Sequence, residues 1–268
     1  MLKITSTYCD LDKIADSGQC FRWKQIGEHA YEIPAFGRVL KVRQDYEDNC
    51  LYFDCTQEEY NAIWKDYFDF DTDYEQYERE ALGQSSTNKY LRDAIAVSRG
   101  IRILKQDLWE TIVSFIISQN NNIPRIKGCI ERLCDRFGCF PEPYRITAGG
   151  LSGLDGLGLG YRQEYIFEAA VSYFMLVGWN SERLRQLYNN KSYTDAREHL
   201  MAHKGIGAKV ADCICLFGLA KKEAFPRDVW IKRIEVEQFN GRFPEENYPG
   251  YAGVLQQYIF FYERNRKG

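Results

Sequence analysis

Residues 195–234 read DAREHLMAHKGIGAKVADCICLFGLAKKEAFPRDVWIKRI, and the interpretation of this stretch decides the architecture. Ala196 and Leu200 sit one turn apart on a first helix. Gly205 and Gly207 then break the pattern around Ile206, as suits a turn needing positive φ or close approach by a partner. Beyond them Val210, Cys213, Ile214 and Phe217 recur at i, i+3, i+4 and i+7, one face of a second helix. Gly218 and the Lys221-Lys222 pair mark its end, because glycine stops a helix and cations suit its negative pole. The spacing therefore predicts a helix–hairpin–helix over 195–218, with backbone N–H groups aimed outward at the start of the second helix, where an anion would bind. Lys209 falls in that first turn, and Asp228 follows nineteen positions later. Two interpretations fit: an αα-corner whose glycines serve packing, or a phosphate clamp carrying a catalytic lysine and aspartate.

Outward from the hairpin, 268 residues with 45% apolar content suffice for one large or two smaller domains. The nine cysteines are odd in number and include no CxxC pair. No secretory leader is legible, so reduced thiols in a cytoplasm are expected, nucleoid-associated if the cell is prokaryotic. No run approaches the length of a membrane span. Histidines scattered at 29, 199 and 203 argue against a zinc site, and no metal or cofactor is expected. The net charge of −3 is unevenly spread. Residues 44–82 hold thirteen acids against Lys65 and Arg79, whereas 203–233 hold seven cations against three acids. Such asymmetry fits a cationic face for a polyanion and a solvated acidic face.

The organisation predicted is α+β. Residues 1–85 form a β-rich domain, an antiparallel sheet with helices, and 86–268 an all-α domain. Phe21–Trp23, Ala30–Ile33, Arg38–Arg43 and Leu51–Cys55 look like short strands, punctuated by turns at Gly27, Gly37 and Asp48-Asn49. Residues 56–68 look like a helix with a capping box from Thr56 to Glu59. Trp109, Ile112, Val113, Ile116 and Ile117 make a core stripe. It is followed by the polar run Ser118-Gln119-Asn120-Asn121-Asn122, with Pro124 starting the next helix. The run GGLSGLDGLGLGYR (149–162) has six glycines in fourteen positions, and its packed leucines suggest a second glycine hairpin.

Four stretches together resemble a known family: SGQCFRW (17–23), SQNNNIPRIKGCIERLC (118–134), the GYR at 160–162, and the GIGAKVADCICL hairpin with Pro226-x-Asp228-Val229. The chain resembles the helix–hairpin–helix DNA glycosylases and, within them, the 8-oxoguanine DNA glycosylase family, as a compact bacterial-type member. The resemblance implies a bifunctional base-excision-repair enzyme, N-glycosylase and abasic-site lyase, that removes 8-oxoguanine opposite cytosine from duplex DNA as a monomer, without cofactor. It implies Lys209 as nucleophile and Asp228 as stabiliser of the cationic sugar. A free lysine is almost wholly protonated at pH 7, so an apolar setting at a helix N-terminus is implied as well. Gly18, Cys213, Pro226, Gln256 and Phe260 would hold the base. The carbonyl of Gly18 would accept from N7–H of 8-oxoguanine, which guanine lacks, a difference of about 1–3 kcal/mol where water is excluded. Gln256 would read the Watson–Crick edge, with Phe260 and Cys213 on opposite faces. Asn120, Arg125 and Arg162 would reach the orphaned cytosine, whose acceptors suit a guanidinium. Tyr161 would plug the gap left by the flipped base, offsetting a few kcal/mol of unstacking. Gly205, Gly207 and Trp230 would lie along the DNA backbone.

The chain departs from the family's pattern at two places. His203-Lys204 stands where familiar members have Leu-Pro, which loses a stiff approach and gains a phosphate-seeking cation. Trp230 replaces a histidine. Other branches of the superfamily compete. The adenine and thymine-glycol branches usually carry a C-terminal four-cysteine cluster, and no cysteine follows Cys215. Alkylpurine glycosylases normally lack a lysine at this position. A non-catalytic helix–hairpin–helix module would explain the hairpin and charge split, but not Lys209, Cys213 and Asp228 together.

Overall fold

Alternation builds the first layer. The burial of Ala30–Ala35 switches at every residue, and Arg38–Asp45 buries Leu40, Val42 and Gln44 while exposing the residues between. Such strands pair with one face on a core. The computed structural model describes residues 1–5, 8–178 and 182–266. It contains a five-stranded antiparallel sheet of β1 (Leu2–Thr5), β2 (Lys24–Gly27), β3 (Ala30–Ala35), β4 (Arg38–Asp45) and β5 (Cys50–Phe53), in the order β1-β5-β4-β3-β2. The register sets Ile33 opposite Leu40 and Tyr31 opposite Val42. These residues pack with Phe53, Trp64 and Phe68 in one buried cluster. Phe21–Trp23 is not a strand: the strand starts at Lys24, and the two aromatics before it are buried, Trp23 in that same cluster. Leu2–Thr5 supplies an edge strand not expected from sequence.

The helix expected over 56–68 is present but uneven. Thr56 caps the Glu59 N–H at 3.2 Å, and the Glu59 carboxylate turns away from the cap to accept from the Trp64 indole at 2.9 Å. The middle of the helix, Tyr60–Trp64, widens to π geometry.

By packing, the chain divides into two compact units: residues 1–105 with 220–268, and residues 106–219. The first unit therefore has two chain segments. Its last helix, Ala252–Arg266, packs on Lys89–Ser98. Polar bonds pin the two segments together. Ser98 Oγ donates to the Tyr258 carbonyl at 3.0 Å, and Tyr90 OH donates to Glu263 Oε2 at 2.9 Å. Arg102, 3% exposed, gives its guanidinium to the carbonyls of Tyr8, Phe68, Asp69 and Thr72. A buried cation is tolerable only with such full pairing.

In the second unit the helix Leu108–Ile117 is buried at every position but Glu110 and touches Ile123–Phe137, Arg162–Val177 and Ala208–Phe217. Asp107 caps it through the Glu110 N–H at 2.8 Å. Leu154, Leu157 and Leu159 of the glycine-rich run are buried, and the run begins as a single 3₁₀ turn at Leu151–Leu154. No described helix is long and apolar enough to cross a membrane.

Candidate active site

The second unit carries the hairpin. Tyr193–Met201 and Ala208–Phe217 are its helices, separated by the turn at 202–207. The two glycines do different work. Gly205 has φ +83, and a Cβ built there would lie 2.6 Å from Tyr165 Cβ, so the position needs both positive φ and a missing side chain. Gly207 has ordinary extended geometry at φ −85, with open space where a Cβ would point. It is the N-cap of Ala208–Phe217 and makes no side-chain cap bond. Among the described residues the first-turn N–H groups therefore receive no capping side chain from Gly207, the condition under which a helix start attracts an anion.

Lys209 is half-buried in this first turn, and Cys213, 3% exposed, lies one turn along the same face. Lys209 Nζ donates to Ser118 Oγ at 3.3 Å and sits 5.3 Å from the centre of the Phe115 ring. Both partners belong to the end of the core helix. His203 packs its ring 4.6 Å from that of Tyr173, and His199 Nδ1 lies 3.0 Å from Tyr188 OH. Burial pushes both imidazoles below the ordinary histidine range. Lys204, expected as a phosphate-seeking cation, is engaged by Glu168 at 2.7 Å and Glu164 at 3.1 Å on the neighbouring helix.

The polar run after the core helix meets both the hairpin and the glycine-rich run. Gln119 Nε2 donates to the Gly205 carbonyl at 2.9 Å. Asn120 takes a left-handed backbone, φ +46, and its Nδ2 donates to Tyr161 OH at 3.2 Å. Tyr161 is 49% exposed, as a plug would need. Arg125 is exposed in the first turn of Ile123–Phe137, which Asn122 caps through the Arg125 N–H at 3.0 Å. Arg162 differs from expectation. It is only 4% exposed, and its guanidinium donates to the carbonyls of Gln119 (2.8 Å from Nε), Leu159 (3.1 Å) and Asn120 (3.1 Å). As placed here it buttresses the asparagine loop; to touch a base it would have to release those carbonyls. Gln119, which joins hairpin, asparagine loop and Arg162, was not singled out from sequence. The only signal for it was its place in the polar run at the core helix's end.

The first unit carries the remaining residues. Gly18 adopts φ +78 between buried Ser17 and Gln19. Gln19 clamps the turn, its Nε2 donating to the Arg102 carbonyl at 2.9 Å and its Oε1 accepting from Leu104 N at 2.8 Å. Gln257 Nε2 donates to the Ser17 carbonyl at 2.5 Å, which brings the Gly18 turn to the helix bearing Gln256 and Phe260. Gln256 is 5% exposed; its Nε2 donates to the Pro226 carbonyl at 3.1 Å, while its Oε1 is buried without a hydrogen-bond partner among the described residues. An orphaned buried acceptor is costly unless a ligand satisfies it. Phe260, one turn on, is half-buried. Asp228 caps the helix Val229–Gln238 through the Ile231 N–H at 2.8 Å, so a capping role is present whatever else it does. Trp230, 38% exposed, has the Arg233 guanidinium 4.7 Å from its ring centre, beside Val229 at 79% exposure.

Comparison with known proteins covers both halves of the chain. Residues 1–112 match the family described as 8-oxoguanine DNA glycosylase, N-terminal domain, and residues 113–239 match the HhH-GPD superfamily base excision DNA repair proteins. An N-glycosylase/DNA lyase of Saccharomyces cerevisiae is 32% identical, covering 87% of this chain and 69% of that protein. A probable N-glycosylase/DNA lyase of Methanothermobacter thermautotrophicus is also 32% identical, over 66% of this chain and 68% of that one. Among solved structures, the Clostridium acetobutylicum 8-oxoguanine glycosylase/lyase in complex with double-stranded DNA containing cytosine opposite 8-oxoG matches with a TM-score of 0.84 at 28% identity, covering 100% of this chain and 99% of that one. The four motifs stand in order within these matched spans, and relatives at this identity extend across most of the chain: it belongs to the 8-oxoguanine DNA glycosylase family of N-glycosylase/DNA lyases.

Proposed function

We propose that the chain excises 8-oxoguanine from duplex DNA, acting as a monomer, and then cleaves the strand through a lysine Schiff base. The observation that carries the catalytic part is Lys209, half-buried in the uncapped first turn of its helix and one turn from buried Cys213. Nζ attacks C1′ of the deoxyribose; the C1′–N9 bond breaks and its electron pair leaves with the purine. The C1′ ammonium so formed loses a proton, the nitrogen lone pair breaks the C1′–O4′ bond, and O4′ takes up a proton as the ring opens to a protonated imine. Removal of a C2′ proton then expels the 3′ phosphate. Asp228 is the anion for the cationic sugar that develops on the way.

For the base, the supporting observation is the orphaned Gln256 Oε1. The Watson–Crick edge of a guanine-type purine offers two adjacent donors, N1–H and the 2-amino group, to such an acceptor, whereas adenine sets a single donor, its 6-amino group, beside the N1 acceptor. The Gly18 turn, tied to the same helix, would supply the carbonyl that separates N7–H from an N7 lone pair. Asn120 and Arg125 are assigned to the cytosine opposite, with Arg162 joining them only if it leaves its carbonyls.

The test is strand cleavage of a duplex holding one 8-oxoguanine opposite cytosine, run beside duplexes with adenine, thymine or guanine opposite. Cleavage that is fastest opposite cytosine is the expected result. No cleavage of any of them sinks the reading, and equal rates with all four remove the roles given to Asn120, Arg125 and Arg162. Asp228 separates into two functions by substitution. Asp228→Asn keeps a capping acceptor, so melting should be unchanged while base release slows by roughly a hundredfold. Asp228→Ala should add a stability loss of about 1 kcal/mol, read in urea unfolding. Unchanged turnover in the asparagine variant would remove the catalytic role and leave the cap.

A further inference from the structure

Ser118 ends the core helix Leu108–Ile117, and nothing in the roles assigned so far uses it. Its hydroxyl donates to the Phe115 carbonyl at 2.8 Å. That bond occupies the only proton on Oγ, so toward Lys209, at 3.3 Å, the oxygen presents lone pairs and acts as acceptor. A neutral amine has two N–H bonds and one lone pair. Bound to such an oxygen it must present an N–H, and its own lone pair is left uncommitted. Were the serine proton free to rotate, it would be donated to that same lone pair and would block it.

The pairing also has a fixed frame. Gln119, the next residue, donates from its side chain to Gly205 O at 2.9 Å, four positions before Lys209. The end of one helix is thereby tied to the start of the other, and the distance between hydroxyl and amine is not left to loop motion. The Phe115 ring, 5.3 Å from Nζ, flanks the amine from the same helix turn. A lysine stem has four rotatable bonds, and this arrangement removes much of that freedom before substrate arrives.

We propose that Ser118 is the positioning residue for the Lys209 amine, holding one N–H so that the nitrogen lone pair stays free for attack. The proposal rests on Lys209 being the nucleophile. Its test uses the full chain and two DNA probes: a duplex with 8-oxoguanine opposite cytosine, and the same duplex carrying a preformed abasic site. In single-turnover reactions at saturating enzyme, Ser118→Ala should slow base release and borohydride trapping on the abasic site by the same factor, about tenfold. Its affinity for either duplex should stay within about twofold of wild type. Ser118→Thr keeps the hydroxyl and should recover most of the rate on both probes; it also serves if the alanine variant does not fold.

Trapping by Ser118→Ala at the wild-type rate would overturn the proposal, as would slowing confined to 8-oxoguanine release, which places the defect in base recognition. Failure of the substrate reading looks different: the wild type would trap abasic DNA yet leave 8-oxoguanine in place, and the Ser118 comparison would still be decided on the abasic probe. Wild-type protein that traps neither probe would remove Lys209 as nucleophile, and the Ser118 role with it.

Discussion

Lys209→Gln should abolish the borohydride-trapped protein–DNA adduct and lower strand cleavage by roughly a thousandfold or more, with folding and duplex binding intact. The amide nitrogen of glutamine has its lone pair delocalised into the carbonyl, so it neither attacks C1′ nor forms an imine. Glutamine's side chain is one bond shorter than lysine's, so Ser118 Oγ, 3.3 Å from the amine in the wild type, loses a partner without gaining a clash. The first turn stays uncapped and open to phosphate, since Gly207 and not residue 209 sets it. The check is a denaturing gel after borohydride treatment, run beside a binding titration and a thermal melt. A glutamine variant that still traps would show that another amine is the nucleophile, and the assignment of the whole hairpin as a catalytic element would fall.

Gly205→Ala should be the most damaging small substitution in the helical unit. Two costs add. The left-handed backbone at φ +83 disfavours a side chain by about 1–2 kcal/mol. The added methyl would also lie 2.6 Å from Tyr165 Cβ and nearer still to its ring carbons, atoms held close to the backbone that cannot swing clear. Overpacking of this kind typically costs about 1–3 kcal/mol more. The hairpin has to move, and with it the Gln119–Gly205 bond and the Tyr165 ring on which Tyr161 rests, ring centres 5.6 Å apart. Expected are a melting temperature lower by several degrees and duplex affinity weaker by at least about tenfold. Gly207→Ala is the matched control: it has open space and an ordinary φ, so the fold should hold and only close approach to DNA should suffer. Equal melting temperatures for wild type and Gly205→Ala would show that the turn relaxes at little cost.

Much of this was readable in the chain because its signals are local. The GIGAK turn, the core stripe ending at Ile117 and the buried leucines at 154, 157 and 159 all follow from spacing over a few residues. What was not readable depends on partners far away in sequence. The resemblance implies that Arg162 contacts the orphaned cytosine; the sequence does not show that its guanidinium bonds to carbonyls some forty positions earlier, at Gln119 and Asn120. Trp23 reads as a strand residue because aromatics favour strands, but it lies one position before β2 and packs on Tyr31 and Phe68, contacts that its neighbours in sequence do not reveal. Lys204 looked available to phosphate until Glu164 and Glu168 on the adjoining helix were placed beside it. The boundary expected at residues 85–86 reflects the change from strand to helix periodicity. Packing draws the line at 105 and returns the last segment to the first unit, because Tyr258, Gln257 and Glu263 bond to Ser98, Ser17 and Tyr90.

That return has a consequence for how the protein is made. During synthesis the sheet precedes residues 106–219, a continuous insert, yet its own unit stays incomplete until the helix Ala252–Arg266 has followed. The turn at Gly18 and the amide at Gln256, the two groups proposed to tell damaged from intact purine, lie on the two sides of that insert in the chain. A chain interrupted before residue 252 would carry Lys209 and the whole hairpin but neither Gln256 nor the helix that holds it against the Gly18 turn.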